Sequence, residues 1–201
     1  PHLSIPLFPF NTLDRYVSQN EVDRFIALSP RNKEEIQSYL NVNERKVEIV
    51  ENGVDTDFFK PIPDEENEIK QELDPEGTVV VAISRLVKYK GHEYLIEAAR
   101  DLPDTTLIIV GEGKYKDQLK SMASGNVIFP GRVPEDDLPY YYSMADLFCL
   151  PTLGEGLPLT ILESMACGTP VMASAVGAIP DVIDSETGFL VEPKNVKDLR
   201  D

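Results

Sequence analysis

Hydrophobic residues along this chain fall into short continuous runs separated by stretches with helical spacing. The run "TVVVAIS" (78–84) is apolar throughout, as are "TTLIIVG" (105–111), "NVIFPG" (126–131), "DLFCLP" (146–151) and "PVMAS" (170–174), with "GFLVE" (188–192) closing the series. Runs of this kind, apolar on both alternate positions, predict strands buried on both faces. Between them, "GHEYLIEAARDL" (91–102), "KYKDQLKSMA" (114–123), "EDDLPYYYSM" (135–144) and "PLTILESMAC" (158–167) predict helices. In the first of these, Tyr94, Leu95, Ala98, Ala99 and Leu102 share one face. Strands alternating with helices predict an α/β fold, a doubly wound parallel sheet of Rossmann-like type from about residue 56 onward.

An earlier region has its own pattern. "RFIALS" (24–29) predicts a buried strand and "PRNKEEIQSYL" (30–40) a helix, with Ser29 as its cap and Pro30 in its first turn. "KVEIVENGVD" (46–55) predicts a strand followed by a turn at Asn52-Gly53. The proline- and acid-rich segment 60–77 reads as a linker or exposed insertion.

Composition narrows the function classes. At 201 residues and 42% hydrophobic content the chain can bury a proper core. No apolar run approaches the roughly 20 residues of a membrane span. A net charge of −16 argues against general nucleic-acid binding. It also means that an anionic ligand would need a local positive site. Cys149 and Cys167 lie in apolar contexts and read as buried, reduced thiols, as expected of a cytoplasmic protein. No metal-ligand spacing is present, and no metal is expected. The first residues, "PHLSIPLFPFNTLDRY", lack a methionine and read as a cut end.

Candidate chemistry sits where strands end. "SRLVKYKG" (84–91) places Arg85, Lys88 and Lys90 in one loop opening a helix, which suits a phosphate; a solvated basic loop is the alternative. "VGEG" (110–113) offers Gly111 and Glu112, either beside a ligand or in a tight turn. "PGRV" (130–133) offers the main chain of Arg132 and Val133 to a flat base, or is a plain turn. The stretch "LGEGLPLTILESMACGTPV" (153–171) holds Glu155 and Glu163 with seven residues between them, and Glu163 is the one charged side chain from Gly156 to Pro180. Pro158 suits the first position of a helix, leaving the N–H groups of Gly156 and Leu157 to face an anion. On that helix Ile161, Leu162, Met165 and Ala166 predict the core face, with Leu159, Glu163 and Ser164 off it. Carboxylates beside a phosphate site suit the hydroxyls of sugars, which donate short, charge-assisted bonds.

Together these segments resemble the retaining glycosyltransferases of GT-B fold in the large family four. The resemblance rests on "RFIALSPRNKEEI", "VEIVENGVDTDFFKP", "ISRLVKYKGHEYLIEA", "LIIVGEG", "VIFPGRVPEDDLPYYYSMADLFCLPTLGEGLPLTILESMACGTPVMAS" and "VGAIPDVIDSETGFLV", in family order from residue 22 onward. It implies that Arg85 and Lys90 hold the diphosphate of a UDP- or GDP-sugar. Glu155 would touch the donor sugar, over a turn formed by Gly156, Leu157, Pro158 and Leu159. Glu163 would accept from the ribose, and Val133 would meet the base beside Gly111, Glu112 and Arg132. With two cations to hold the diphosphate and no metal-ligand cluster in the sequence, neither a cofactor nor a metal is expected. Neither carboxylate is expected to have a raised pKa in such a setting. Ser84 stands where the family often has glycine, "GLP" replaces "GFG", and "GAIPD" replaces "GGIPE".

The resemblance also implies a division: residues 1–55 as the tail of an acceptor-binding N-terminal domain, residues 56–201 as the nucleotide-sugar domain, ending at "NVKDLRD" before the family's closing helices. The acceptor, and any peripheral association with the inner face of a membrane, would belong to the absent part. Two other readings compete: a non-catalytic nucleotide-binding module, and a GT-B relative such as a nucleotide-sugar epimerase or a phosphorylase. Binding of nucleoside diphosphates against free phosphate separates them.

Overall fold

The computed structural model describes residues 18–201; the opening segment lies outside the described residues. Two parallel sheets are present among them. The smaller pairs β1 (Phe25–Ala27) with β2 (Val47–Ile49), joined through α1 (Pro30–Leu40). Ser29 caps α1 as expected, its hydroxyl accepting from Asn32 N at 3.1 Å. Ala27, Leu40, Val42 and Val47 form this unit's own small core.

The larger sheet has six parallel strands: β3 (Thr78–Ile83), β4 (Thr105–Val110), β5 (Val127–Gly131), β6 (Leu147–Leu150), β7 (Val171–Ser174) and β8 (Gly188–Val191). Their spatial order is β5-β4-β3-β6-β7-β8, so the direction of winding reverses between β3 and β6. Each strand lies within two residues of its predicted span. The continuous apolar runs follow from burial on both sides. In β3, Val79, Val81 and Ile83 face one core and Val80 and Ala82 the other; in β4, Ile108 and Val110 oppose Leu107 and Ile109. One face is covered by α2 (Glu68–Leu73), α5 (Leu138–Ser143) and α6 (Leu159–Ala166). The other is covered by α3 (His92–Ala99), α4 (Lys116–Met122) and α7 (Val196–Arg200). Cys149 and Cys167 are buried and unpaired, and burial pushes their thiols up to about 12 and about 11, which leaves them poor nucleophiles.

Four expectations need correction. Segment 60–77 is not a free linker: Ile69 and Leu73 of α2 pack on the main core, because two apolar residues four apart suffice to seat one helical turn and a half. Asn67, fully buried, caps that helix by accepting from Lys70 N at 2.9 Å and donates to Tyr140 O at 2.9 Å. Asn52-Gly53 makes no turn, and Gly53 does not adopt a positive φ. Ser164 lies inside rather than off the core, its hydroxyl satisfied by Thr169 O at 3.2 Å. Finally, two strands expected to be buried are partly open: Ile26 of β1 and Phe189 of β8 are exposed.

Because Asn67 serves both as a helix cap and as an anchor to α5, Asn67→Ala is expected to lower unfolding free energy by about 2 kcal/mol. Chemical denaturation checks this; a shift within error of zero would return segment 60–77 to the role of a loose linker.

Candidate functional site

The reversal of winding opens a crevice at the carboxyl ends of β3 and β6, and the loops that follow β3, β4, β5 and β6 carry the candidate residues. After β3 come Ser84 and Arg85. The Arg85 side chain is exposed and its guanidinium donates to Tyr89 Oη at 2.6 Å. Arg85, Gly111, Glu112, Arg132 and Val133 line one cleft of about 390 Å³, with Ile83 and Leu138 among its apolar walls. Five sequence candidates from three different loops are thus brought together.

Within this cleft the details differ from the simplest expectation. Gly111 has φ +141°, and a Cβ there would stand 1.9 Å from Ser84 O; its freedom serves the approach of two strand ends. Glu112 pairs with Lys116, the first residue of α4. That hydrogen bond, with a further one from the Arg132 N–H, holds its carboxyl below the usual carboxylate range.

Lys90 and Glu155 meet although sixty-five residues apart: Lys90 Nζ donates to Glu155 Oε1. Both side chains are close to buried, at 11% and 13% exposure. The fully buried Thr152 adds a bond from its hydroxyl to the same carboxylate oxygen at 3.1 Å. The Tyr89 carbonyl ties the two loops together by accepting from Leu153 N at 2.8 Å, and Lys90 Nζ lies 5.6 Å from the Tyr89 ring centroid. So Glu155 finds a cation and a hydroxyl, which is what a carboxylate removed from water requires.

Glu163 finds a different partner. Tyr142, fully buried, donates its hydroxyl to Glu163 Oε2 at 2.6 Å. The carboxyl is half-buried, and its pKa is raised: desolvation dominates, the Tyr142 bond opposes it, and the nearby Glu135 adds to it. The expectation that neither acid would have a raised pKa fails for Glu163, because no cation faces it to offset burial. The same contact keeps the Tyr142 phenol well above its ordinary pKa, with burial the largest cause.

Pro158 is the cap of α6 rather than its first residue, with Leu159 opening the helix and half exposed. The N–H groups of Gly156 and Leu157 have no acceptor among the described residues. The turn they belong to is fixed from behind: Ala178 N donates to Gly156 O at 3.0 Å, and a Cβ on Gly177 (φ +54°) would stand 1.9 Å from Glu155 O. Only glycine fits there.

Several participants gave no signal in the sequence. Tyr142 is one of three adjacent tyrosines, and nothing marks it as the one that reaches Glu163. Thr152 reads as a loop residue. His92, in "KGHEY", is fully buried, with Nε2 2.8 Å from Ser84 Oγ. Since Ser84 Oγ in turn reaches Arg85 O at 3.3 Å and His92 Nδ1 has no partner, Nε2 carries the proton and Nδ1 is bare. Among the described residues no group of three or more His, Cys, Asp or Glu side chains is placed to hold a metal ion, and no helix is long and apolar enough to cross a membrane.

Known proteins resemble this chain in sequence and fold. The family model for glycosyl transferases group 1 matches residues 63–201, and the model for glycosyltransferase family 4 matches residues 2–58. A GDP-mannose-dependent alpha-(1-6)-phosphatidylinositol monomannoside mannosyltransferase of Mycolicibacterium smegmatis is 41% identical over 162 residues, covering 72% of this chain and 42% of the relative. A D-inositol 3-phosphate glycosyltransferase of Mycobacterium sp. (strain JLS) is 33% identical over 190 residues, covering 89% of this chain and 43% of the relative. Among solved structures, Anabaena HepE in complex with UDP and glucose superposes with a TM-score of 0.84 at 26% identity, over 95% of this chain and 56% of that one. The chain thus spans about half the length of the relatives it matches.

Burial and the Lys90 charge hold the His92 imidazole down at about 4, against its ordinary 6.5. A depressed folded pKa means stability that is present above pH 6.5 and drains as pH falls from there through about 4. Its full extent is about 3 kcal/mol. Denaturant unfolding of the parent and of His92→Gln across that window checks this: the difference between them is expected to shrink steadily on acidification, and a constant difference would contradict it.

Proposed function

Since the chain belongs to the glycosyl transferases group 1 family, we propose that it forms the donor-binding half of a retaining glycosyltransferase that uses a UDP- or GDP-sugar. In this reading residues 56–201 form the donor domain and residues 1–55 the tail of the acceptor domain. The observation that carries it is the Lys90–Glu155 pair at the winding reversal, in the same turn as the Gly156 and Leu157 N–H groups that have no acceptor among the described residues, with Arg85 on the neighbouring loop bonded to Tyr89 beside Lys90. In a chain of net charge −16 this is where an anion is provided for.

Arg85 and Lys90 take the diphosphate, and the Gly156 and Leu157 N–H groups add main-chain donors. Lys90 exchanges one anionic partner for another, so Glu155 is freed to accept from sugar hydroxyls. Glu163, with a single hydroxyl donor from Tyr142, accepts from the ribose. The base lies in the cleft of Gly111, Glu112 and Arg132. The main chain of Val133, which lines the same cleft, meets the base. As the bond from the sugar to the diphosphate breaks, the two cations stabilise the charge that develops on the leaving group. The acceptor hydroxyl attacks from the face the diphosphate leaves, which preserves configuration. The cations take the part a metal would play, so no metal is needed. GDP-mannose dependence in the mannosyltransferase relative and UDP in the Anabaena complex support the two nucleotide choices. The phosphatidylinositol mannoside in that relative's name favours a lipid-linked acceptor, met by the rest of the protein at a membrane's inner face.

The test is titration of this chain with UDP, GDP, ADP and inorganic phosphate by calorimetry. UDP or GDP is expected to bind with EDTA present, and phosphate alone far more weakly. Arg85→Ala is expected to weaken that binding roughly tenfold or more, as loss of a charge-assisted contact. Glu163→Gln is expected to weaken it by a similar factor while leaving the unbound protein as stable or more so at neutral pH, because the substitution removes a charge that folding desolvates. Ribose hydroxyls favour the ionised carboxylate, so binding is expected to weaken as pH falls toward the raised pKa of Glu163. Binding of phosphate and nucleotide with equal strength would point to a phosphorylase-like site instead.

A further inference from the structure

Asn52 lies three residues beyond β2, in the segment that leaves the small sheet for the large one, and its sequence context, Asn-Gly, is that of a tight turn. No turn forms there, and Gly53 neither takes a positive φ nor crowds any neighbour. The asparagine is used for its carboxamide: Nδ2 donates to Leu157 O at 3.0 Å, across 105 residues of sequence.

Leu157 O belongs to the peptide that precedes Pro158, a bond without an N–H of its own. The carbonyl stands before the helix cap, so no helical N–H reaches it; α6 begins its bonding at Pro158 O, which accepts from Ile161 N. Asn52 supplies what the helix does not. The same turn carries Glu155 and the free N–H groups of Gly156 and Leu157. Its other ties, among them Ala178 N to Gly156 O and the Lys90 and Thr152 bonds to Glu155, come from the large domain. Among the described residues, Asn52 makes the one hydrogen bond to residues 154–158 that arises from the β1–β2 unit. Two looser contacts accompany it: a Cβ on Gly156 would lie 3.6 Å from Leu28 Cδ1, and Arg31 Nε lies 3.8 Å from Asp181 Oδ1.

We infer that Asn52 is a positioning residue for the donor turn: its carboxamide, held by the β1–β2 unit, fixes the Leu157 carbonyl and so aims the Gly156 and Leu157 N–H groups at the phosphates. The ligand part of this inference rests on the donor reading above. A consequence is that the relative placement of the two units is felt at the phosphate site through one side chain, with no contact between the first unit and the nucleotide required.

Two variants separate shape from hydrogen bonding. Asn52→Ala removes the carboxamide; Asn52→Asp keeps its shape but sets a carboxylate against the Leu157 carbonyl. Amide hydrogen exchange at Ala178 and Leu153, whose N–H groups tie the turn through Gly156 O and Tyr89 O, with Ile108 and Ile109 as internal references in the sheet, is measured beside UDP and GDP affinity by calorimetry. Exchange of these turn-tying amides is expected to quicken about fivefold in Asn52→Ala and more in Asn52→Asp, with the sheet amides unchanged and nucleotide affinity falling about fivefold. Equal quickening of turn and sheet would mean general destabilisation and would overturn the inference. So would an Asp variant that behaves as the parent does. If the parent chain binds neither nucleotide, the donor reading falls, and with it the phosphate-aiming part of the inference; selective quickening of exchange would still establish the tie itself. If the parent binds and both variants match it in affinity and exchange, the inference falls alone.

Discussion

A parallel sheet covered on both faces leaves only its ends for chemistry. In this chain the central strands of the large sheet are spent on packing: alternate residues of β3 and β4 enter opposite cores, and the helices that fill those cores cover both faces there. What remains is the carboxyl edge, where the strand order reverses between β3 and β6. The two loops on either side of that reversal are the ones that bring Lys90 and Glu155 together. The position of the candidate site is thus a consequence of topology before it is a matter of residue type.

The Lys90–Glu155 pair makes a poor device for stability. Ion pairs this shielded lose hydration comparable to what they gain from each other, and apolar replacements often serve folding as well. Its construction is better suited to keeping two opposite charges in one confined place. Thr152 and the Tyr89 carbonyl hold the two loops in register, so neither charge needs to travel far to meet a new partner. In the donor reading the cost of desolvating both groups is met during folding, and binding then exchanges one anion for another around an immobile ammonium.

Glu163 shows the opposite balance. Its carboxylate has been drawn toward the core with one neutral donor, Tyr142, and with Glu135 near enough to repel it. Folding alone would be better served by glutamine. A charge kept under such conditions, in an otherwise uncharged stretch of a highly charged chain, is the kind of local inconsistency that marks function rather than architecture. His92 is a quieter case: buried, neutral and half-satisfied, it steadies Ser84 and the Arg85 carbonyl at the lip of the same cleft.

The order of residues was enough to specify the strands, most helices and the strand ends where the candidate residues fall. Apolar runs such as 78–83 and 105–110 suit little except a doubly covered sheet once helices separate them, and glycines and cations fall at strand ends because a parallel sheet has its loops there. Glu163 was marked too, through the absence of other charges around it. Partnership, in contrast, came only with folding. Sequence spacing carries no trace of which of three tyrosines reaches Glu163, of a lysine and a glutamate sixty-five residues apart, or of an asparagine whose bond lies 105 residues away. The misplaced segments have the same origin. Segment 60–77 reads as linker because its few apolar residues matter only against a core contributed from elsewhere. Ser164 reads as surface because its acceptor, Thr169 O, is brought near only when the end of α6 turns back on itself. Periodicity records what one element needs from its surroundings; which group answers that need is set by distances that exist only after the chain has closed on itself.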